Sequence, residues 1–198
     1  MLEEQHHGPF AFLAFHPVAD KPIVDYVQQG TLSSDSRNIM TLFTLDKEAR
    51  VATQLDKKSL IGVGVDFDTS SHRAYDLVQA LFENQAAPPL PGIAFFARFT
   101  IESDVVYASL QGLKEVTEVS NRLRKLFSLA DQAWRTSQAK GRDFADDLAV
   151  LLEQEKLPFI RTGQTSLRQW LIRAYRLVLE HGSDIVSAIG TIGGLVGG

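Results

Sequence analysis

Three prolines crowd into Pro88-Pro89-Leu90-Pro91, and the chain then runs straight through Gly92-Ile93-Ala94-Phe95-Phe96-Ala97-Arg98-Phe99, its most apolar strand candidate. Proline cannot donate to a sheet ladder, so the cluster belongs before the strand, and Pro91 sets the angle at which residues 92–99 enter the core. A polar turn at Glu102-Ser103-Asp104 leads into Val105-Val106-Tyr107-Ala108-Ser109-Leu110. That run reads as the antiparallel return strand of a hairpin.

The segments before the hairpin alternate between strand and helix. Phe10-Ala11-Phe12-Leu13-Ala14-Phe15 is a short apolar run bounded by Gly8-Pro9 and His16-Pro17, which suits a central strand buried on both faces. Asp20 is placed to cap a helix with Pro22 in its first turn, with Ile23, Val24 and Val27 on its apolar side and Gly30 as its stop. After a polar loop from Ser33 to Arg37, residues 38–45 read as a second strand, so the helix makes a parallel crossover and the three form a βαβ unit. Residues 46–60 carry many charges and read as an excursion outside the main core. Residues 61–67 read as a further strand, with Asp68, Thr69 or Ser70 capping a helix over 71–83 whose buried stripe is Tyr75, Leu77, Val78, Leu81 and Phe82.

Beyond the hairpin, Val116, Val119, Leu123, Leu126, Phe127, Ala130 and Trp134 recur at steps of three and four, which predicts a long helix from Leu113 to Arg135 lying across the sheet. Two more helices, Asp143 to Glu155 and Ser166 to Glu180, are expected as an appendage, with breaks at Gly141 and between Leu157 and Gly163. The expected organisation is a disordered stretch over 1–8, an α/β domain over 9–137, a helical extension over 138–182 and an apolar, glycine-rich tail over 183–198.

Strand, helix, strand, helix, proline turn, antiparallel hairpin, helix is the order of the thioredoxin-like fold, which residues 9–135 resemble. In that family a proline, usually cis, immediately precedes the third core strand. Pro91 looks like that residue, and the resemblance implies a cis Leu90–Pro91 peptide. The family's Cys-x-x-Cys would fall within Phe15-His16-Pro17-Val18-Ala19-Asp20-Lys21-Pro22, which contains no cysteine; the whole chain has Cys 0. Disulfide exchange needs a thiolate to attack sulfur, so this chemistry is excluded. The resemblance then implies a non-catalytic member that keeps the scaffold for binding other proteins, although a fold alone does not specify a function.

The chain has 198 residues, 44% hydrophobic and 22% charged, which is ordinary globular usage and enough material for a sizeable core. A net charge of −4 provides no overall basic field to neutralise phosphates, so nucleic acid is not an expected partner. Met1-Leu2-Glu3-Glu4-Gln5-His6-His7 is acidic and lacks the apolar run of a signal peptide. With no cysteine besides, the cytoplasm is the expected compartment.

Several groups could carry chemistry, and each has a plainer role. His16 stands at the junction of the first strand and helix, where a general base could sit; it could equally cap or hydrogen-bond the loop. Asp66 and Asp68, two apart on a strand and followed by His72, could present carboxylates to a hard cation, or Asp68 could simply cap the next helix. Gly62-x-Gly64 lacks the third glycine of a dinucleotide fingerprint, and no phosphate-loop, zinc-protease or nucleophile-elbow motif occurs. No cofactor is called for. Arg161, Arg168, Arg173 and Arg176 concentrate positive charge, which could face an acidic partner or anionic lipid or could be a solvated face.

The tail is unusual: Gly190, Gly194 and Gly198 are spaced by four, and no charge follows Asp184. This spacing allows close helix approach in apolar surroundings, hence self-association or membrane contact, but the segment is shorter than the roughly 17–25 residues of a spanning helix. Three functions follow as expectations. The first is a non-catalytic, cytoplasmic protein-interaction module on a cysteine-free thioredoxin-like domain. The second is a membrane-active or self-associating protein using the tail, and the third a metal-dependent hydrolase using Asp66, Asp68 and His72.

Overall fold

Two neighbouring strands whose side chains are buried on both faces form the middle of the molecule, seen in a computed structural model that describes residues 7–16, 18–44, 60–63, 73–82, 86–98, 102–162, 165–166 and 185–188. They are β1 (Phe10–Ala14) and β4 (Gly92–Phe96), paired antiparallel with Ala14 opposite Gly92. Along β1, Ala11, Leu13 and Phe15 enter one apolar cluster while Phe10, Phe12 and Ala14 enter the other. Ile93 and Phe95 of β4 follow the first set, and Ala94 and Phe96 the second. The two-residue period of a strand divides each apolar run between two cores.

Helices cover both faces. On the first lie α1 (Lys21–Gln28), the short α2 (Leu32–Asp35), α4 (Val116–Lys140) and α5 (Phe144–Gln154). On the second lies α3 (Arg73–Leu81), which inserts Ala74, Leu77, Val78 and Leu81. β2 (Met40–Thr44) runs parallel to β1, and β6 (Val106–Ser109) runs antiparallel to β4. One mixed sheet therefore unites the strands expected over 9–45 and 91–110. The Leu90–Pro91 peptide is cis, as expected.

Local chemistry explains the helix limits. Pro22 occupies the first turn of α1, where its missing N–H is no loss, and Lys21 reaches Asp25 one turn on at 2.8 Å. An exposed pair of this kind contributes about 0.3–0.5 kcal/mol, whereas each fully buried large apolar side chain contributes about 1.5–3 kcal/mol, so Ile23 and Val27 hold the helix down more than its ion pair does. α4 begins at Val116 because Glu115 and Glu118 form a reciprocal capping box. It continues past Arg135, since Ser137 is still buried and nothing breaks the helix before Gly141, a left-handed cap at φ 62. Asp143 starts α5 by accepting from the amides of Ala145 and Asp146. A polar clamp joins three helices: Tyr26 Oη donates to Asp35 Oδ2 and Arg124 Nε to Asp35 Oδ1, both at 2.8 Å.

Several expectations need correction. Tyr75 is 39% exposed and Ala74 takes its place in the α3 stripe. Residues 138–162 do not stand apart as an appendage: Phe144, Ala145, Leu148 and Leu152 of α5 enter the first core, and β7 (Phe159–Arg161) pairs with β6. Ser166 lies in β8 (Thr165–Ser166), paired with β5 (Glu102–Ser103), rather than at the start of a helix; the helix expected to follow lies outside the described residues. In the tail, Ile185–Ala188 forms β9, between β2 and β3 (Leu60–Val63), where a close-packing helix was one expectation. The main sheet order is β3-β9-β2-β1-β4-β6-β7. At the N-terminus the His7 carbonyl accepts from Trp134 Nε1 at 3.1 Å, so the expected disorder of 1–8 does not extend to His7.

Gly92 is required by its neighbour, because a Cβ there would overlap the ring of Tyr107 on the adjacent strand. Gly92→Ala should therefore lower stability by about 1–3 kcal/mol, the range for forced overpacking. Denaturant midpoints should also show Gly92→Ala with Tyr107→Leu costing less than the sum of the two single changes; strict additivity would refute the steric account.

Candidate functional site

The β1–β4 register brings His16 and Pro91 to one end of the sheet. Ala14 faces Gly92, so His16, two residues past Ala14, and Pro91, one before Gly92, lie at the carboxyl end of β1 and the start of β4. α1 begins at the same end, at Lys21.

His16 is held by the loop that it organises. Its Nδ1 accepts from the amides of Val18 and Ala19, each at 3.0 Å, and its own amide donates to Asp20 Oδ2 at 2.7 Å. The Asp20 amide donates back to the His16 carbonyl at 3.0 Å. Asp20 was expected to cap α1 with its side chain, yet it makes no side-chain cap bond there; its carboxylate turns back to the His16 amide instead. The hydrogen bonding assigns a neutral imidazole with the proton on Nε2. Two amides occupy the Nδ1 lone pair, which is the loop-bonding role weighed for His16.

The proline turn is tied down from β6. Tyr107 Oη donates to the Pro89 carbonyl at 3.0 Å, and Gln111 Nε2 donates to the Leu90 carbonyl at 3.1 Å. The Leu110 amide donates to the Pro91 carbonyl at 2.9 Å. Burial raises the Tyr107 phenol well above the ordinary tyrosine range, and the negative charge of Asp20 raises it further. Pro89 is exposed, Leu90 and Pro91 are half-buried, and Val18 presents 70% of its surface to solvent.

Sequence reasoning missed Val18 and Tyr107. A lone valine in a loop carries no signal, and Tyr107 read as an ordinary strand residue; the nearest hint was the glycine at position 92. Asp66, Asp68, His72, Arg168, Arg173, Arg176, Gly190, Gly194 and Gly198 lie outside the described residues. Among the described residues no group of three or more side chains could hold a metal ion, and no helix is long and apolar enough to cross a membrane. Arg161 is not a loose positive charge. Burial weighs against its guanidinium, but hydrogen bonds and charges from Asp146 and Asp104 outweigh it and hold the proton more firmly than usual.

No protein-family model, curated protein or solved structure matches the chain.

Two of the chain's four tyrosines should resist ionisation: Tyr107, and Tyr26, raised by burial and by its bond to Asp35. Both phenols lose a proton more readily when unfolded, so their contribution is complete below the ordinary phenol value of about 10 and declines as the pH rises above it. Ultraviolet titration of the native protein should leave both silent at about pH 11, and Tyr107→Phe should reduce the alkaline loss of stability. All four tyrosines ionising together near pH 10 would contradict this assignment.

Proposed function

We propose that the protein is a non-catalytic interaction module, a cysteine-free thioredoxin-like domain that docks another protein through the β1–α1 loop and the proline turn beside it. The fold half of this reading draws on the run β2-β1-β4-β6, in which only the β1–β2 pair is parallel, with helices on both faces and a cis peptide before Pro91. That is the arrangement the resemblance implies. The observation that carries the functional half is the self-sufficiency of the loop: His16 and Asp20 satisfy the amides of Val18, Ala19 and His16, while Val18 is turned outward at 70% exposure.

A rigid loop that offers an apolar side chain suits docking better than catalysis. Binding energy concentrates in a few apolar anchors on pre-ordered backbone, because little conformational freedom is then lost on association. Val18, Leu90 and Pro91 would be such anchors, with His16 and Asp20 as the frame. The partner in this reading is a cytoplasmic protein, with no nucleic acid, metal or cofactor involved.

The test is site-specific photo-crosslinking in cells of the native host, with benzoylphenylalanine in place of Val18 or of Val150, an exposed apolar residue on α5. A discrete adduct is expected from position 18 and not from position 150, and Leu90→Asp should reduce its yield at least roughly tenfold if an interface anchor is lost. No adduct at position 18, or the same adducts at both positions, would sink the proposal.

A further inference from the structure

The β1–α1 loop depends on one proton-sensitive atom. His16 Nδ1 accepts from the Val18 and Ala19 amides at 3.0 Å each, which it can do only with its lone pair free. An imidazolium carries N–H at both nitrogens and would aim a third donor at these two. Protonation is therefore incompatible with the loop as it stands.

A carboxylate beside the loop offers the charged ring a partner once it leaves the amides. The amino-terminal end of α1 adds positive potential near Asp20. Among the described residues, titratable groups near the loop include Asp20, which accepts from the His16 amide, and Tyr107 on β6, whose phenol is raised by burial and by the charge of Asp20. Lys21 is turned toward Asp25. The Asp20 carboxylate is a nearby anion with which an imidazolium could pair after swinging away from the amides.

We infer that His16 is a pH-sensitive latch: neutral, it holds the loop closed at the start of α1; protonated, it releases the Val18 and Ala19 amides and the loop opens. The closed form has no proton on Nδ1, so proton uptake draws the population toward the open form. Closure holds while Nδ1 keeps its lone pair and is lost when that nitrogen takes up a proton. The consequence for partner binding rests on the docking reading above, whereas the latch itself does not.

The test uses the full chain labelled with 15N, with ring nitrogens and amide hydrogen exchange followed between about pH 8 and about pH 5, which bracket the ordinary imidazole range. At the upper pH the His16 Nδ1 signal should be that of an unprotonated nitrogen. At the lower pH both ring nitrogens should be protonated, and protection factors at Val18 and Ala19 should fall roughly tenfold or more, the scale set by losing two hydrogen bonds. The Ile23 and Val24 amides, bonded to the Asp20 carbonyl, should keep theirs. His16→Asn retains a side-chain acceptor that does not titrate, so protection of the two loop amides should no longer depend on pH. A protonated Nδ1 at the upper pH, unchanged protection while the ring titrates, or the same pH dependence in His16→Asn would overturn the latch. A titrating latch without any adduct at Val18 would sink the docking reading alone.

Discussion

The pairing of β1 with β4 is the constraint on which the rest of the molecule depends. Both strands are apolar at every position and buried on both faces, so each needs a helical layer above and another below. A strand buried in this way must also find ladder partners on both edges, because an unpaired buried N–H or C=O costs more than a net hydrogen bond contributes. β2 and β6 supply those edges, and β9 and β7 in turn cover β2 and β6. An aromatic contact couples sheet to helix, Phe95 meeting Phe127 of α4 edge-on at 6.1 Å, while Phe10 stacks on Phe96 across the β1–β4 pair at 5.9 Å.

The same pairing creates the candidate site. Because β1 and β4 are antiparallel, the exit of one and the entrance of the other share an end of the sheet, and the start of α1 joins them there. A loop leaving a fully buried strand must satisfy its own amides within a few residues. His16 and Asp20 do this in four hydrogen bonds, counting one backbone bond between them. Polar groups that face one another in this way leave the apolar Val18 to face solvent.

What could be read directly from the residues was what depends on neighbours in sequence. The apolar run 10–15, the prolines before Gly92, the helical pattern from Asp143 and the break at Gly141 all exert their effects within a few residues, and the elements that they imply are present. Steps of three and four located α4, though a cap at Glu115 and burial as far as Ser137 moved both of its ends. Tyr75 shows the limit of such periodicity. Helical spacing admits it to the buried stripe, but the sheet beneath α3 meets Ala74 instead.

The tertiary structure alone decided which distant segments became neighbours. Ile185–Ala188, which sequence reads as a glycine-rich tail, is a strand paired with β2 and β3, since a four-residue strand has no stability until two ladders claim its backbone. Phe159–Arg161 likewise became a strand only by meeting β6, and Arg161 lost its apparent freedom to Asp104 and Asp146. Asp20 illustrates the same division at a single residue: its position before α1 was written in the sequence, but the direction of its carboxylate was set by the His16 amide. Local preference determines which elements form, because caps, turns and periodicity act over a few residues; pairing over long separations is decided only when the whole chain competes for the same buried hydrogen bonds.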